Sequence, residues 1–367
     1  MLRDGLPRRL LALALALRSA HAASQVPGQD DTIERIFRAI GEGGRYYVEF
    51  GFNAASWEGS SGANTEALWR RGWSGLLLDG RNYNASINLH TAFISSTNIV
   101  STLRAHGVPD GFDYLSVDID SSDVWVLRSL LRDYRPRVAT VEFNAVYDMS
   151  WPAIAFPDLV TMPLLHGRGS WNRTCYYGSS AKAIFNAATA NGYTLVASER
   201  FLDMYFVRSD LWGEHAQRIA TKSKRTDQPH IGAADTSRYE PRGNGMLEKG
   251  ESLMERFKAD PWNNTYSRAM TVEEAENLVD YDVYVKTGSV CKAREAAATA
   301  MRDLANLHYQ RIAENNYKLI WGNHHASDRK STGGSECFKH LRHLKADACS
   351  RNDQGMMYGS QLGHPSG

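Results

Sequence analysis

Gly72-Trp73-Ser74-Gly75-Leu76-Leu77-Leu78-Asp79-Gly80 is the stretch that decides the fold. A leucine run too short for a helix and bounded by glycines reads as a strand buried on both faces, the situation of a parallel sheet covered by helices. It ends in Asp-Gly, so the strand delivers a carboxylate just where the chain turns. Upstream, Tyr46 to Phe50 is a second strand, carrying Glu49 and followed by Gly51. Between the two, the turn-rich Asn53 to Gly62 leads into a helix over Thr65 to Arg71, with Asn64 as its cap and Gly72 as its stop.

Downstream the alternation continues. Phe93 to Val100 reads as strand at its ends, followed by a short helix that Gly107 closes. Tyr114 to Ile119 is a strand, and Ser121 or Ser122 caps a helix whose Val124, Leu127, Leu130 and Leu131 share the face toward the sheet. Val138 to Phe143 is the next strand. A long loop with Trp151, Pro152, Pro157, Pro163 and Gly167 precedes a helix over Ser180 to Ala190. Tyr193 to Ala197 and Met204 to Arg208 then pair as a hairpin. Strands and helices in this alternation predict an α/β fold with a mostly parallel sheet.

Ligands of such sheets bind at the carboxyl ends of the strands, beside the point where strand order reverses. Every central strand here ends in an acid: Glu49, Asp79, Asp118 with Asp120, and Glu142 followed by Asn144. Gly51 lacks a Cβ and lets a ligand approach the backbone. Asp79 can accept both hydroxyls of an adenosine ribose, or it can serve the Asp-Gly turn. Asp118, Glu142 and Asn144 offer the hard oxygen donors that suit Mg²⁺ or Ca²⁺, although Asp120 and Asp123 can equally cap the following helix. His166 stands in the long loop as a further proton acceptor or an ordinary polar residue. Trp57, Trp69, Trp73, Trp125, Trp151 and Trp171 read mostly as packing, with Trp151 and Trp171 also placed to line an acceptor pocket.

The chain has 367 residues and a formal charge of +1, so no global field recruits nucleic acid or an anionic membrane. Residues 1–23 join a basic start, the Leu/Ala run Leu10 to Leu17 and an Ala20-x-Ala22 cleavage signature. They read as a secretory signal peptide, with an organellar presequence as the alternative, and the run is too short to span a bilayer. Asn84-Ala-Ser86, Asn172-Arg-Thr174 and Asn263-Asn-Thr265 are glycosylation sequons. Cys175, Cys291, Cys337 and Cys349 allow up to two disulfides in any of three pairings. Residues 24–212 form the α/β domain, 213–250 a linker and 251–367 a mainly helical region. Within the last, Thr271-x-x-Glu274 makes a capping box, Lys292 to Asn315 a long helix and Cys337 to Lys345 another. His324-His325 and Cys337-x-x-His340-x-x-His343 lack the spacing of a common zinc site.

Val48-Glu-Phe-Gly51, Asn64-Thr65, Gly72 to Gly80, Ile87-Asn-Leu-His90, Asn98-Ile-Val100, Asp113 to Asp120 and Val141-Glu-Phe-Asn144 resemble class I S-adenosylmethionine-dependent methyltransferases, nearest the FkbM-like branch. Tyr176-Tyr-Gly-Ser-Ser180, Gly192-Tyr-Thr-Leu-Val196 and Phe206-Val-Arg208 resemble its closing segment. The resemblance covers about Arg45 to Leu211. It implies a Rossmann-like methyltransferase fold of seven strands with the last antiparallel, S-adenosylmethionine as cofactor, Glu49, Gly51, Asp79 and Asp118 as cofactor-binding residues, and Asp118, Glu142 or His166 serving a small-molecule or glycan hydroxyl. The turn Asn53 to Gly62 departs from the family by lacking tightly repeated glycines. Two other readings stand beside this one: a catalytically silent methyltransferase-like binding module, and an NAD-dependent oxidoreductase, for which Gly-x-Gly-x-x-Gly is missing.

Overall fold

The computed structural model describes residues 29–59, 63–144, 147, 151–158, 176–198, 202–223, 239–241, 247–249, 272–313, 341 and 344. The sheet is built from β1 (Tyr46–Phe50), β2 (Ser74–Asp79), β3 (Leu89–Thr91), β4 (Tyr114–Val117), β5 (Val138–Glu142), β7 (Tyr193–Ser198) and β8 (Asp203–Arg208), with β6 (Ile154–Ala155) outside it. Its order is β3-β2-β1-β4-β5-β8-β7. Pairing is parallel from β3 to β5, and β8 runs antiparallel to both β5 and β7. The antiparallel hairpin expected at the end of the sheet is therefore present.

Alternation within each strand sends side chains to two cores, as the doubly buried runs require. One face, with Phe50, Leu76, Leu78, Leu115 and Val141, packs on α3 (Ile99–Ala105), α4 (Asp123–Asp133) and α5 (Ala181–Ala190). The other, with Tyr47, Leu77, Tyr114 and Tyr205, packs on α1 (Gln29–Ile40) and α2 (Glu66–Arg70). Ile33, Ile36, Phe37 and Ile40 form the buried stripe of α1, a helical spacing. The third strand lies at Leu89–Thr91 and not within Phe93 to Val100: β3 hydrogen-bonds along β2, after which the chain turns and α3 begins behind Asn98, which stands at the N-cap without a side-chain cap bond. Local pattern could not locate this strand, because three residues carry too little periodicity and its position is set by pairing.

α6 (Ser209–Ser223) continues past residue 212, and the hairpin of β9 (Tyr239–Pro241) and β10 (Leu247–Lys249) lies in the stretch read as a linker. The C-terminal part contributes α7 (Val272–Asn277), β11 (Val279–Asp280), α8 (Tyr281–Thr287) and α9 (Val290–Ala313). It is anchored to the α/β domain: β11 pairs with β6, Tyr281 and Tyr284 pack on Trp125, and Trp125 Nε1 donates to the Phe156 carbonyl at 2.7 Å. Tyr147, Trp151, Ile154, Phe156 and Tyr176, all between β5 and α5, share a core with Ala297, Ala298 and Met301 of α9. Trp151 is thus a packing residue, while Trp171 lies outside the described residues. Cys291 is disulfide-bonded, and the other cysteines lie outside the described residues. Among the described residues no helix is long and apolar enough to cross a membrane.

Candidate active site

Strand order reverses between β1 and β4, so the connections leaving these two strands diverge and open a cleft at their carboxyl ends. A cavity of about 490 Å³ lies there, lined by Glu49, Gly51, Asp79, Asp118, Asp120 and Glu142 among others. Its size falls in the range of small-molecule and cofactor sites, roughly 300–1,000 Å³.

Gly51 adopts φ +75°, and a Cβ placed there would stand 1.7 Å from the Asp118 carbonyl oxygen. The close backbone approach expected of Gly51 is therefore made first by β4, not by a ligand. Glu49 also has a role its position in sequence conceals. Its buried carboxylate accepts from Asn64 N at 3.0 Å, Thr65 N at 3.2 Å and Thr65 Oγ1, so the start of α2 is held by an acid from β1. Asn64 does not cap this helix: the N-cap is Thr65, without a side-chain cap bond, and Asn64 Nδ2 donates to Ser116 Oγ at 2.9 Å. Burial pushes Glu49 up to about 7 against the pull of these hydrogen bonds.

Asp79 sits at the opposite rim. Oδ1 accepts from Arg81 N and Asn82 N at 2.7 Å each and from Asn82 Nδ2 at 3.0 Å, and Oδ2 accepts from Asn53 N at 2.9 Å. The carboxylate thereby organises both its own Asp-Gly turn and the first turn after β1, where Asn53 is itself left-handed at φ 54°.

Asp118, Asp120 and Glu142 converge on one spot, with a carboxylate oxygen of each within 4.8 Å of the others. Asp120 reaches it through a left-handed backbone, φ 57°, a conformation that Asp tolerates better than most side chains and that recurs at functional sites. Asp123 takes the structural part: Oδ1 accepts from Ile119 N at 2.8 Å and Oδ2 from Ser121 N at 3.0 Å, which fixes the loop that aims Asp120. Asn144 is fully buried, with its backbone N–H on Ser179 O at 2.8 Å and Nδ2 on Tyr177 O at 2.9 Å. Asp120, read from the sequence as a helix cap, stands with Asp118 and Glu142 in the acidic group. His166 lies outside the described residues.

Three acids this close cannot all ionise without a cation. Glu142 is pushed well up by burial and then by the Asp118 charge, and burial raises Asp118 as well, against the pull of a side-chain hydrogen bond with Glu142. Asp120 rises from 3.8 to about 7, first through burial and then through Asp118 and Asp123. A carboxyl raised in this way favours the folded chain while protonated, so Asp120 contributes stability that is lost as pH climbs from about 4 to about 7. A divalent cation competes with those protons. Millimolar Mg²⁺ should therefore raise the unfolding temperature at pH 8 and do so much less at pH 5; an equal rise at both pH values, read by scanning calorimetry, would place the ion elsewhere.

No protein-family model matches the sequence, and no curated protein matches it. Solved structures are similar to it over about half its length. The N-terminal domain of EvdMO1, determined in the presence of SAH and D-fucose, is 15% identical over 56% of this chain and 99% of its own, with a TM-score of 0.29. An O-methyltransferase from Bacillus cereus in complex with SAH is 13% identical over 56% of this chain and 90% of its own, TM-score 0.28. The methyltransferase MycE of the mycinamycin biosynthetic pathway, in complex with Mg, SAH and mycinamycin VI, is 14% identical over 49% of this chain and 50% of its own, TM-score 0.32. Likeness at that level adds nothing to what strand order already carries. The sheet β3-β2-β1-β4-β5-β8-β7, with β8 alone antiparallel and helices on both faces, has the Rossmann-like methyltransferase fold.

Proposed function

We propose that the chain is an S-adenosylmethionine-dependent methyltransferase of the FkbM-like branch that methylates a hydroxyl of a small-molecule or glycan acceptor. One observation carries this reading: a single cavity at the strand-order reversal has Asp79 on one rim and the Asp118–Asp120–Glu142 group on the other. A nucleoside seated by its ribose at Asp79 directs its far end toward those three acids. The described residues that line the cavity include no Lys, Arg or His, which suits a cationic nucleoside and disfavours the pyrophosphate of NAD.

When bound, S-adenosylmethionine supplies an electrophilic methyl group, and Mg²⁺ at the three acids lowers the proton affinity of a hydroxyl beside it. Asp118, Asp120 and Glu142 fit such an ion, since all three offer hard oxygen donors from half-buried positions. Asp118 and Glu142 orient the acceptor, and the unprotonated carboxylate of the pair takes the hydroxyl proton as the oxygen gains the methyl group. Gly51 and Glu49 hold the first turn against β4 so that both rims stay in register.

Asp79 provides the test. Isothermal titration of Asp79→Asn should show S-adenosylmethionine binding weakened about tenfold, the cost of one lost charge-assisted hydrogen bond. Unchanged affinity would remove Asp79 from the ribose. The silent-module reading keeps one observation in its favour, because Asp79 already accepts four hydrogen bonds from its own turns. Absence of binding at millimolar S-adenosylmethionine would establish that reading instead. We also place the chain in the secretory pathway: the disulfide at Cys291 supports an oxidising compartment, as does the signal-like start.

A further inference from the structure

We propose that His90 and His106 bind one divalent cation of the zinc and copper kind at the outer edge of the sheet, apart from the acidic cavity. The site stands or falls without the methyltransferase reading. His90 is the middle residue of β3, the edge strand, and pairs with Leu78 of β2. It therefore shares with Leu78 the face of the sheet that α3 covers. His106 is the C-cap of α3. Strand and helix thus bring two imidazoles together, with ring centroids 4.3 Å apart and planes inclined at 55°.

The hydrogen bonds around His90 fix its tautomer. Asn88 Nδ2 donates to the Gly75 carbonyl at 2.6 Å, which only the amide nitrogen can do, so Asn88 Oδ1 is the atom that faces His90. That oxygen can only accept, so His90 Nε2, 2.9 Å away, carries the ring hydrogen and Nδ1 keeps its lone pair. Among the described residues no group bonds to Nδ1 or to the His106 ring nitrogens. One ring nitrogen held by a carbonyl oxygen while the other stays bare is how metal-bound histidines are oriented. Burial, and then His106, lowers the His90 pKa, which keeps the ring neutral at pH 7. The separation also fits. Two imidazoles bound at about 2.1 Å and about 90–110° from each other hold their centroids about 4.5–5 Å apart. A few tenths of an ångström cover the difference, and water completes the coordination on the exposed side. Imidazole nitrogen suits Zn²⁺ and Cu²⁺, whereas Mg²⁺ takes oxygen donors. An ion held in this way ties a strand of only three residues to the end of the helix above it.

Isothermal titration of the full-length chain with ZnCl₂, in millimolar MgCl₂ to occupy oxygen-donor sites, decides the matter. His106→Ala and His90→Gln should each bind one Zn²⁺ fewer than the parent chain, and Zn²⁺ should raise the unfolding temperature of the parent more than that of either variant. Asn88→Gly keeps a residue that tolerates φ 53° and removes the amide that orients His90. It should weaken the same Zn²⁺ about tenfold or more while leaving the number of sites unchanged. The His106 side chain is exposed and its ring touches His90, so His106→Ala decides alone should His90→Gln fail to fold. An unchanged number of Zn²⁺ ions in His106→Ala overturns the proposal, whatever Zn²⁺ other histidines take up. Loss of the ion in His90→Gln alone overturns it too, because the pair would then not be the site.

Discussion

Gly51→Ala should lower stability by about 3 kcal/mol or more, combining a left-handed backbone penalty with overpacking against main chain. The added Cβ would lie 1.7 Å from the Asp118 carbonyl oxygen and 2.9 Å from its carbon, which belong to the neighbouring strand connection and have no flexible end to swing away. Gly72→Ala separates the two effects. Gly72 has φ +82°, as left-handed as Gly51, but a Cβ there meets nothing within 4 Å. It should therefore cost only the backbone penalty, about 1–2 kcal/mol. Urea denaturation of the two variants gives the comparison; similar losses would show that the approach of β1 to β4 is not what demands glycine at position 51. The consequence extends to function, because the displaced Asp118 backbone carries the side chain at the centre of the acidic group.

On the methyltransferase proposal, with Glu142 as the carboxylate that takes the acceptor proton, Glu142→Gln should reduce methyl transfer by about 10²–10⁴-fold, the usual range for losing a positioned proton-transfer group. Folding should survive the change. Glu142 and Asp118 share a side-chain hydrogen bond, and the Gln amide can donate to Asp118 in its place. What Gln cannot do is ionise, so it neither takes a proton from substrate nor offers a charged oxygen to a cation. The variant should accordingly keep its unfolding temperature, keep S-adenosylmethionine binding and lose the Mg²⁺-dependent gain in stability at pH 8. A variant that transfers methyl groups at the original rate would remove Glu142 from the chemistry, and one that unfolds would assign it to the core.

The strands were legible in the sequence wherever burial on both faces produced an unbroken apolar run. Leu76, Leu77 and Leu78 need no knowledge of their neighbours to read as strand, and the acid that follows them is then placed at the carboxyl rim by topology alone. The capping acid of α2 was not legible, because Glu49 is 16 residues from the Thr65 N–H it satisfies and no local pattern links the two. The same holds for β3, whose three residues owe their conformation to pairing with β2.

The membership of the acidic group shows the division most clearly. By itself the sequence determined that acids end the central strands and that the terminal pair of strands returns as a hairpin, since both follow from period and spacing. Only the tertiary structure decided which acids meet. Asp120 joins Asp118 and Glu142 through a left-handed backbone, and Asp123 holds the loop that carries it by accepting from Ile119 N and Ser121 N. Backbone direction at a strand end is set by contacts distant in the chain, and a residue's type carries no record of them.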